Sequence, residues 1–360
     1  MTELSEPRGD RVLVLGGYGA VGRPAARALG ELLPGRVVVA GRDGEQAAAF
    51  AAGSDGRLLA ARADLADRAA LERALRGVRL VVLAVTPRSA REHPAPLLFE
   101  RGTGLVDVTA DRRVIGAVEQ YDGVARAYGA SAVLSVGVAP GLTNLLARRV
   151  HEEVGGAERI DLSVLLGAGE KHGREAVCRT VTEPAAERAA GARPLRVTVP
   201  PPHGTRTHHP FPLSDQFTLR RTLGTPAVTT RLSIGSGPLT ALLFGLRRAG
   251  VFRAARLARL DGVLSAALAR MAAGGEDFAV RADAHRQGRR AVRILTARSQ
   301  ARITGLVAAQ VAARMYEGAV PPGVHHIEQL STLADVPETL APRGLTEWQV
   351  TPERDAVLGR

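Results

Sequence analysis

Val12-Leu13-Val14-Leu15 runs directly into Gly16-Gly17-Tyr18-Gly19-Ala20-Val21-Gly22, and a helical pattern from Pro24 through Leu33 follows at once. No other stretch constrains the fold as much. An apolar strand, a Gly17-x-Gly19-x-x-Gly22 turn and a helix in direct succession open a dinucleotide-binding βαβ unit. One glycine permits the tight turn, the next admits a pyrophosphate against the backbone, and the third lets the helix pack on the strand. The start of the helix offers free N–H groups and a positive dipole end to phosphate. The glycine spacing alone is a weak signal. The strand before it, the helix after it and a second strand about twenty residues on make it specific. On this reading Gly17, Tyr18, Gly19, Ala20, Val21 and Gly22 hold a pyrophosphate; the alternative is a fold of this type that no longer binds nucleotide.

The second strand, Val37–Ala40, ends in Gly41-Arg42-Asp43. A site selective for NAD places a carboxylate at this tip for the ribose 2′-OH, whereas a nearby arginine accommodates a 2′-phosphate. Gly41 leaves the tip without a carboxylate, and Arg42 supplies a planar cation suited to phosphate. NADP (NADPH) is therefore the expected cofactor. Asp43, one residue further on, is the competing feature, and a solvated loop arginine is the alternative for Arg42.

Strands are expected at Val12–Leu15, Val37–Ala40, Leu58–Ala63, Leu80–Val85, Gly104–Asp107 and Ala132–Val136, with helices at Arg68–Leu75, Ala90–Arg101 and Val114–Tyr128 in the gaps. Such alternation implies an α/β fold, a Rossmann-type doubly wound parallel sheet with helices on both faces. Ligands bind such sheets at the carboxyl ends of the strands, which makes Thr86 a contact candidate. Asp64 either reaches the adenine end or serves the start of the next helix. Beyond Asn144 the strands change character: Ile160–Leu166, Leu195–Val199, Val228–Ile234, Phe278–His285 and Ala291–Thr296, the last two joined as a hairpin across Gln287-Gly288. A second α+β domain with a mixed, largely antiparallel sheet is expected. The proline-rich stretch from Pro194 to Pro212 reads as an irregular cover for an active site. Leu239–Ala249 and Phe252–Ala272 read as amphipathic helices for core or subunit packing. The expected domains are 1–144, 145–300, and 301–360 as a helix and tail returning to the first.

The chain has 48 Lys and Arg against 36 Asp and Glu, a formal net charge of +12. A basic balance of that size raises nucleic acid as a partner. The arginines are spread through almost every helix, however, and aromatic residues are only 3%, so no basic-aromatic surface is available for stacking bases. No apolar run approaches the roughly 20 residues that span a bilayer, and the first ten residues lack the apolar core of a secretory signal. With one cysteine, Cys178, and no HExxH pattern, neither a disulfide nor a metal site is expected. The expectation is a cytoplasmic protein with a small-molecule substrate, no nucleic acid, no membrane and no metal.

Lys171 is the sole lysine of the chain, within Gly167-Ala168-Gly169-Glu170-Lys171-His172-Gly173-Arg174, directly after an apolar strand. His172 is suited to proton transfer near neutral pH, and Lys171 if desolvated. Glu170 would steer a substrate ammonium. The bland alternative is a helix start with solvated charges. These three residues are the catalytic candidates.

VLVLGGYGAVG at Val12–Gly22, VDVTAD at Val106–Asp111, GVAPGLTNLLA at Gly137–Ala147 and ITGLVAAQVAARMYEGAVPPGV at Ile303–Val324 resemble the saccharopine dehydrogenase-like family of NAD(P)-dependent oxidoreductases. The resemblance implies a Rossmann domain interrupted by a substrate domain, with a C-terminal helix packed back on the first domain. It also implies hydride transfer to or from a C=N/C–NH bond of an amino-acid-derived substrate. Carried across, Gly17, Gly19 and Gly22 bind pyrophosphate, Arg42 the 2′-phosphate, and Pro140 and Gly141 line the nicotinamide pocket. A homodimer is expected on the same ground. Relatives that reduce C=C bonds keep open reduction of an activated C=C or C=O bond. The lack of an indisputable proton donor keeps open a non-catalytic protein that senses NADP or binds a partner.

Overall fold

The computed structural model describes residues 9–87, 89–167, 169, 192–257, 262 and 275–350. The chain divides into two compact units: Met1–Gly141 with Ala301–Leu340, and Leu142–Gln300 with Ala341–Arg360.

The first unit is a seven-stranded sheet whose registered pairs are all parallel. Its strands are β1 (Arg11–Leu15), β2 (Val37–Gly41), β3 (Leu58–Arg62), β4 (Val78–Leu83), β5 (Gly104–Asp107) and β6 (Ser131–Leu134), with the late strand Gly323–His326 beside β6. Across the sheet the order is late strand, β6, β5, β4, β1, β2, β3. The chain thus winds one way from β1 through β3 and the other way from β4 onward, and the switch lies between β1 and β4. Val12, Leu13, Val14, Val81, Val82 and Leu83 are fully buried, as expected where helices cover both faces of a parallel sheet.

The connecting helices are α1 (Gly22–Leu32), α2 (Gly44–Ala52), α3 (Arg68–Ala74), α4 (Ala95–Glu100), α5 (Arg112–Glu119) and α6 (Asp122–Ala127). Two expected helices are interrupted. The one over 90–101 breaks at His93-Pro94, because proline restricts the residue before it to extended backbone; His93 has φ −71°, ψ 131°. The one over 114–128 breaks at Gln120-Tyr121. The helix Gln300–Tyr316 belongs to the first unit, and Gly305 sets its approach: a Cβ there would collide with the carbonyl of Val21 and lie 2.8 Å from Pro24 Cγ.

The second unit holds β7 (Arg159–Leu166), β8 (Leu195–Val199), β9 (Gly204–Pro210), β10 (Ala227–Ile234), β11 (Asp277–Arg286) and β12 (Arg289–Arg298). The terminal strand Thr346–Gln349 pairs with β12, and the order from that edge is β12, β11, β7, β10, β9, β8. Only β7 and β10 pair in parallel; the other ladders are antiparallel. β11 and β12 form the expected hairpin, with Gln287 at φ 45° and Gly288 at φ 78°, the two left-handed residues of a tight turn. Two expectations change here. The proline-rich stretch is not an irregular cover: the expected strand Leu195–Val199 is present as β8, and the residues after the Pro200–Pro202 link form β9, antiparallel to it. The tail from Ala341 groups with the second unit, because Thr346–Gln349 pairs with Arg293–Thr296.

Candidate functional site

At the carboxyl ends of β1 and β4 the backbone itself shapes a cradle. Gly16 has φ +77°, and a Cβ on it would strike Val85 Cγ1 and sit 2.9 Å from the Ala84 carbonyl. A Cβ on Gly17 would lie 2.8 Å from Val39 Cγ1 and 2.9 Å from the Val14 carbonyl. One on Gly22 would overlap the Gly16 carbonyl and lie 2.7 Å from Gly17 Cα. The turn closes through Gly19 N–H donating to Gly16 O at 2.9 Å, and Arg23 N–H donates to Gly19 O at 2.9 Å. Helix α1 begins with neither a side-chain cap nor an acidic residue in its first turn. Its opening N–H groups face no competing carboxylate of their own helix, the arrangement that suits a bound anion. Thr86 is exposed just past β4. Gly17, Tyr18, Gly19, Ala20, Val21 and Gly22 therefore fit a pyrophosphate, which the glycines admit and any larger side chain would displace.

The tip of β2 resolves the competition between Arg42 and Asp43 over local structure. Asp43 caps α2: its Oδ1 accepts from Glu45 N and Gln46 N, both at 3.0 Å, and its Oδ2 from Gln46 Nε2 at 2.7 Å. The Gln46 backbone bond, with the others, holds this carboxyl below the usual range. Arg42 is exposed, and no carboxylate pairs with it among the described residues. Asp64 Oδ1 accepts from Ala66 N at 3.1 Å and so shapes the turn that leads to α3, which Asp67 caps. The tyrosine of the fingerprint has an unforeseen position. Its ring lies against Gly41, where a Cβ would come within 2.6 Å of Tyr18 Cζ, and its hydroxyl accepts from Asp43 N at 3.1 Å.

Under β5 and β6 the same edge carries polar groups that a reading of local pattern does not find. His93 and Asp107 form a buried pair, Nε2 to Oδ2 at 3.0 Å, with side chains 2% and 1% exposed. Ala95 N–H donates to His93 Nδ1 at 3.2 Å. Nδ1 therefore carries no proton, and Nε2–H donates to Asp107, whose Oδ1 accepts from Thr109 N at 2.8 Å. The Thr109 hydroxyl is buried without a hydrogen-bond partner among the described residues. Ser135, in left-handed backbone at φ 56°, places its hydroxyl 2.8 Å from His326 Nδ1, and His326 Nε2 lies 2.7 Å from Glu119 Oε1. These bonds tie the late strand to β6 and α5. The signal missed in the sequence is long-range: 191 residues separate Ser135 from His326. Pro140 and Gly141 are buried in the loop after β6; Gly141 has φ +136°, and a Cβ on it would lie 3.2 Å from the Ser135 carbonyl.

In the second unit Glu170, Lys171 and His172 lie outside the described residues. What is described is a polar face across three adjacent strands. Asp161 meets Arg231 at 2.6 Å and Arg159 at 3.0 Å. Asp283 receives both Nε and Nη2 of Arg281, at 2.7 and 2.9 Å. Ser163 is in register with both Arg231 and Arg281. The hydroxyls of Ser163 and Ser233 and both ring nitrogens of His208 are buried with no hydrogen-bond partner among the described residues. Burial pushes His208 down to about 4, with Arg281 and Arg231 adding repulsion, so this imidazole is neutral at pH 7. Among the described residues no group of three His, Cys, Asp or Glu could hold a metal, and no helix is long and apolar enough to cross a membrane.

A doubly wound parallel sheet with a glycine cradle at its switch point defines a dinucleotide-binding α/β protein. Residues 12–128 match the family model described as the saccharopine dehydrogenase NADP binding domain. Over that segment the chain is similar to the NADP-binding domain of saccharopine dehydrogenase, and NADP(H) is its cofactor. No curated protein sequence matches the chain. Among solved structures, apo saccharopine dehydrogenase (L-Glu forming) from Saccharomyces cerevisiae is similar with a TM-score of 0.66 at 14% identity, over 95% of this chain and 100% of that one. DAP dehydrogenase from C. glutamicum in complex with DAP aligns with a TM-score of 0.45 at 14% identity, over 92% of this chain and 98% of that one. An engineered D-amino acid dehydrogenase bound to NADP+ gives 0.46 at 15%, over 93% and 99%. At such identities the likeness to the yeast protein is one of fold, and it extends over both units.

Proposed function

We propose that this NADP-binding chain transfers hydride to or from a C=N/C–NH bond of an amino-acid-derived substrate. The observation that carries the reading is the family match over residues 12–128. A fold shared along nearly the whole chain with a protein named saccharopine dehydrogenase supports it. NADP(H), when bound, supplies the hydride chemistry. The chain's own part is to bind the pyrophosphate at Gly17–Gly22, to fix the nicotinamide half near Pro140 and Gly141, and to move one proton. Glu170, Lys171 and His172 are proposed for that last task, Glu170 as the contact for a substrate ammonium.

The test is NADPH oxidation across a panel of cyclic imines, 2-oxo acids with amino acids or amines, simple ketones and enoyl thioesters. Turnover confined to the imine and oxo acid–amine members is expected. Turnover only with enoyl thioesters or ketones would move the assignment to C=C or C=O reduction. Tight NADPH binding with no turnover of any member would favour a nucleotide-sensing protein. On a substrate found this way, His172→Ala should lower turnover about 100-fold, the scale of a positioned acid or base, with NADPH affinity unchanged. Lys171→Arg keeps the charge while removing the readily tuned ammonium; wild-type rates in both variants would leave these residues as a solvated helix start.

We also propose a homodimer built on the second unit. Leu239, Leu243 and Phe244 are buried within the unit. Leu242 (41% exposed) on Gly237–Arg248 and Val251 and Leu257 (37% and 82% exposed) on Val251–Leu257 leave apolar side chains uncovered on neighbouring helices, where a second copy could cover them. Sedimentation at micromolar concentration should show a species of twice 37.8 kDa; a monomer alone would remove the proposal.

A further inference from the structure

We propose that Arg62 and the hydroxyl of Tyr18 join Arg42 in a single site for a phosphomonoester, the 2′-phosphate of the adenosine ribose. The choice of NADP over NAD would then rest on three side chains from three elements. The inference rests on the NADP reading above and adds to it the residues that discriminate.

Three observations converge on the tip of β2. First, Arg62 is the last residue of β3 and is in register with Gly41. Its Nε donates to the Arg42 carbonyl at 3.3 Å, which places the guanidinium over the loop that carries Arg42. Both arginines are exposed, and neither has a carboxylate partner among the described residues. Two like charges on adjoining backbone, one on the loop and one at the end of β3, repel each other, and that repulsion falls when an anion lies between them.

Second, the only carboxylate in that loop, Asp43, is already committed. Its three bonds to Glu45 and Gln46 hold it at the N-terminus of α2. It faces the helix amides and pairs with neither arginine among the described residues. An NAD-type site would need that carboxylate free to accept from a 2′-OH.

Third, the Tyr18 hydroxyl is oriented by the same loop. Its oxygen accepts from Asp43 N, so its proton remains to be donated elsewhere. Gly41 lets the ring lie directly on the end of β2. The hydroxyl is thus fixed beside the two arginines by one hydrogen bond and one close packing contact. A phosphomonoester carries a charge of roughly −1.5 to −2 and three strong acceptor oxygens. Two planar forks and one phenolic O–H match that charge and number.

The experiment is a binding titration by calorimetry of 2′,5′-ADP, 5′-AMP, NADPH and NADH against the full-length wild type, R42A, R62A, Y18F and R42A/R62A. Hydrogen bonds to a charged partner contribute enough that Arg62→Ala should weaken 2′,5′-ADP and NADPH by about 10-fold or more. Binding of 5′-AMP and NADH should not change. Tyr18→Phe should weaken the same two ligands by a few fold, and the double arginine variant should bind NADPH no better than NADH. If Arg62→Ala and Tyr18→Phe leave the ratio of NADPH to NADH affinity at its wild-type value while Arg42→Ala abolishes it, the site has one arginine and the proposal is overturned. Equal losses for NADH and NADPH in Arg62→Ala would also overturn it, as damage to the loop. A wild type that binds NADH as tightly as NADPH would refute the NADP reading itself, whatever the variants do.

Discussion

Replacing Gly22 by alanine is expected to weaken NADPH binding by about 100-fold, the effect of a backbone cradle misplaced by an ångström or so. The added methyl would overlap the carbonyl of Gly16 and press on Gly17 Cα, and both are main-chain atoms of the turn proposed to receive the pyrophosphate. A flexible side chain could swing aside, but the turn cannot. It is held by Gly16 N–H and Gly17 N–H donating to Ala40 O at 2.8 and 3.2 Å, and by Gly19 N–H donating to Gly16 O. Helix α1 must therefore shift away from β1, carrying the backbone of the turn with it. Gly116→Ala is the control. Gly116 lies in α5 with nothing near its absent Cβ, so alanine there should be neutral or should stabilise by about 0.5–1 kcal/mol through helix propensity. The measurement is NADPH affinity by fluorescence titration together with Tm for both variants. An unchanged affinity in Gly22→Ala would mean that the dinucleotide does not sit on this turn.

That turn was legible because all its determinants are local. A buried apolar strand, glycines where the backbone doubles on itself and a helix within a few residues each leave a mark in adjacent positions. The tip of β2 was half legible. Arg42 stands out against a missing carboxylate, yet the role of Asp43 turns on the start of α2, and the position of Arg62 turns on the register between β2 and β3. Tyr18 reads as one variable residue inside a glycine motif until the sheet brings Gly41 beneath its ring. His93 with Asp107, and Ser135 with His326 and Glu119, are pairings across the fold with no periodic signature.

The second unit was less legible, for a related reason. The strand Ile160–Leu166 reads from sequence as apolar and is buried on both faces, Asp161 and Ser163 included, but Arg231, which pairs with Asp161, lies on another strand and leaves no local mark. The charges on the polar face tolerate burial because they are paired: Asp161 with Arg231 across to β10, and Asp283 with Arg281 on its own strand and Arg290 across to β12. β8 was legible as Leu195–Val199, whereas β9, which lies between β10 and the edge strand β8, was hidden by Pro200–Pro202 and Pro210 at its two ends.

The same burial makes Asp283→Asn the variant with the largest expected loss of stability. Burial alone would raise the Asp283 carboxyl, but hydrogen bonds and charge from Arg281 and then Arg290 outweigh it and leave the group below the ordinary carboxylate value. The folded protein therefore holds the ionised form more strongly than the unfolded chain does. Stability from this group is fully present above the unfolded carboxylate range, about pH 4, and is lost as pH falls through the lower folded value. Asparagine keeps the shape while removing the charge. Arg281, 2% exposed as a side chain, then stays buried without its carboxylate, and breaking a buried pair from one side costs about 3–5 kcal/mol. The expected result is a markedly lower Tm at pH 7 and a smaller difference between wild type and variant at pH 3, where the unfolded wild-type chain already takes up the proton on this carboxylate. Thermal unfolding of both proteins from pH 3 to pH 7 measures this directly. A gap in stability that stays constant over the whole range would show that the charge of Asp283 contributes nothing. The loss would then be attributed to packing, and the Arg281–Asp283 pair would no longer account for the burial of a polar sheet face.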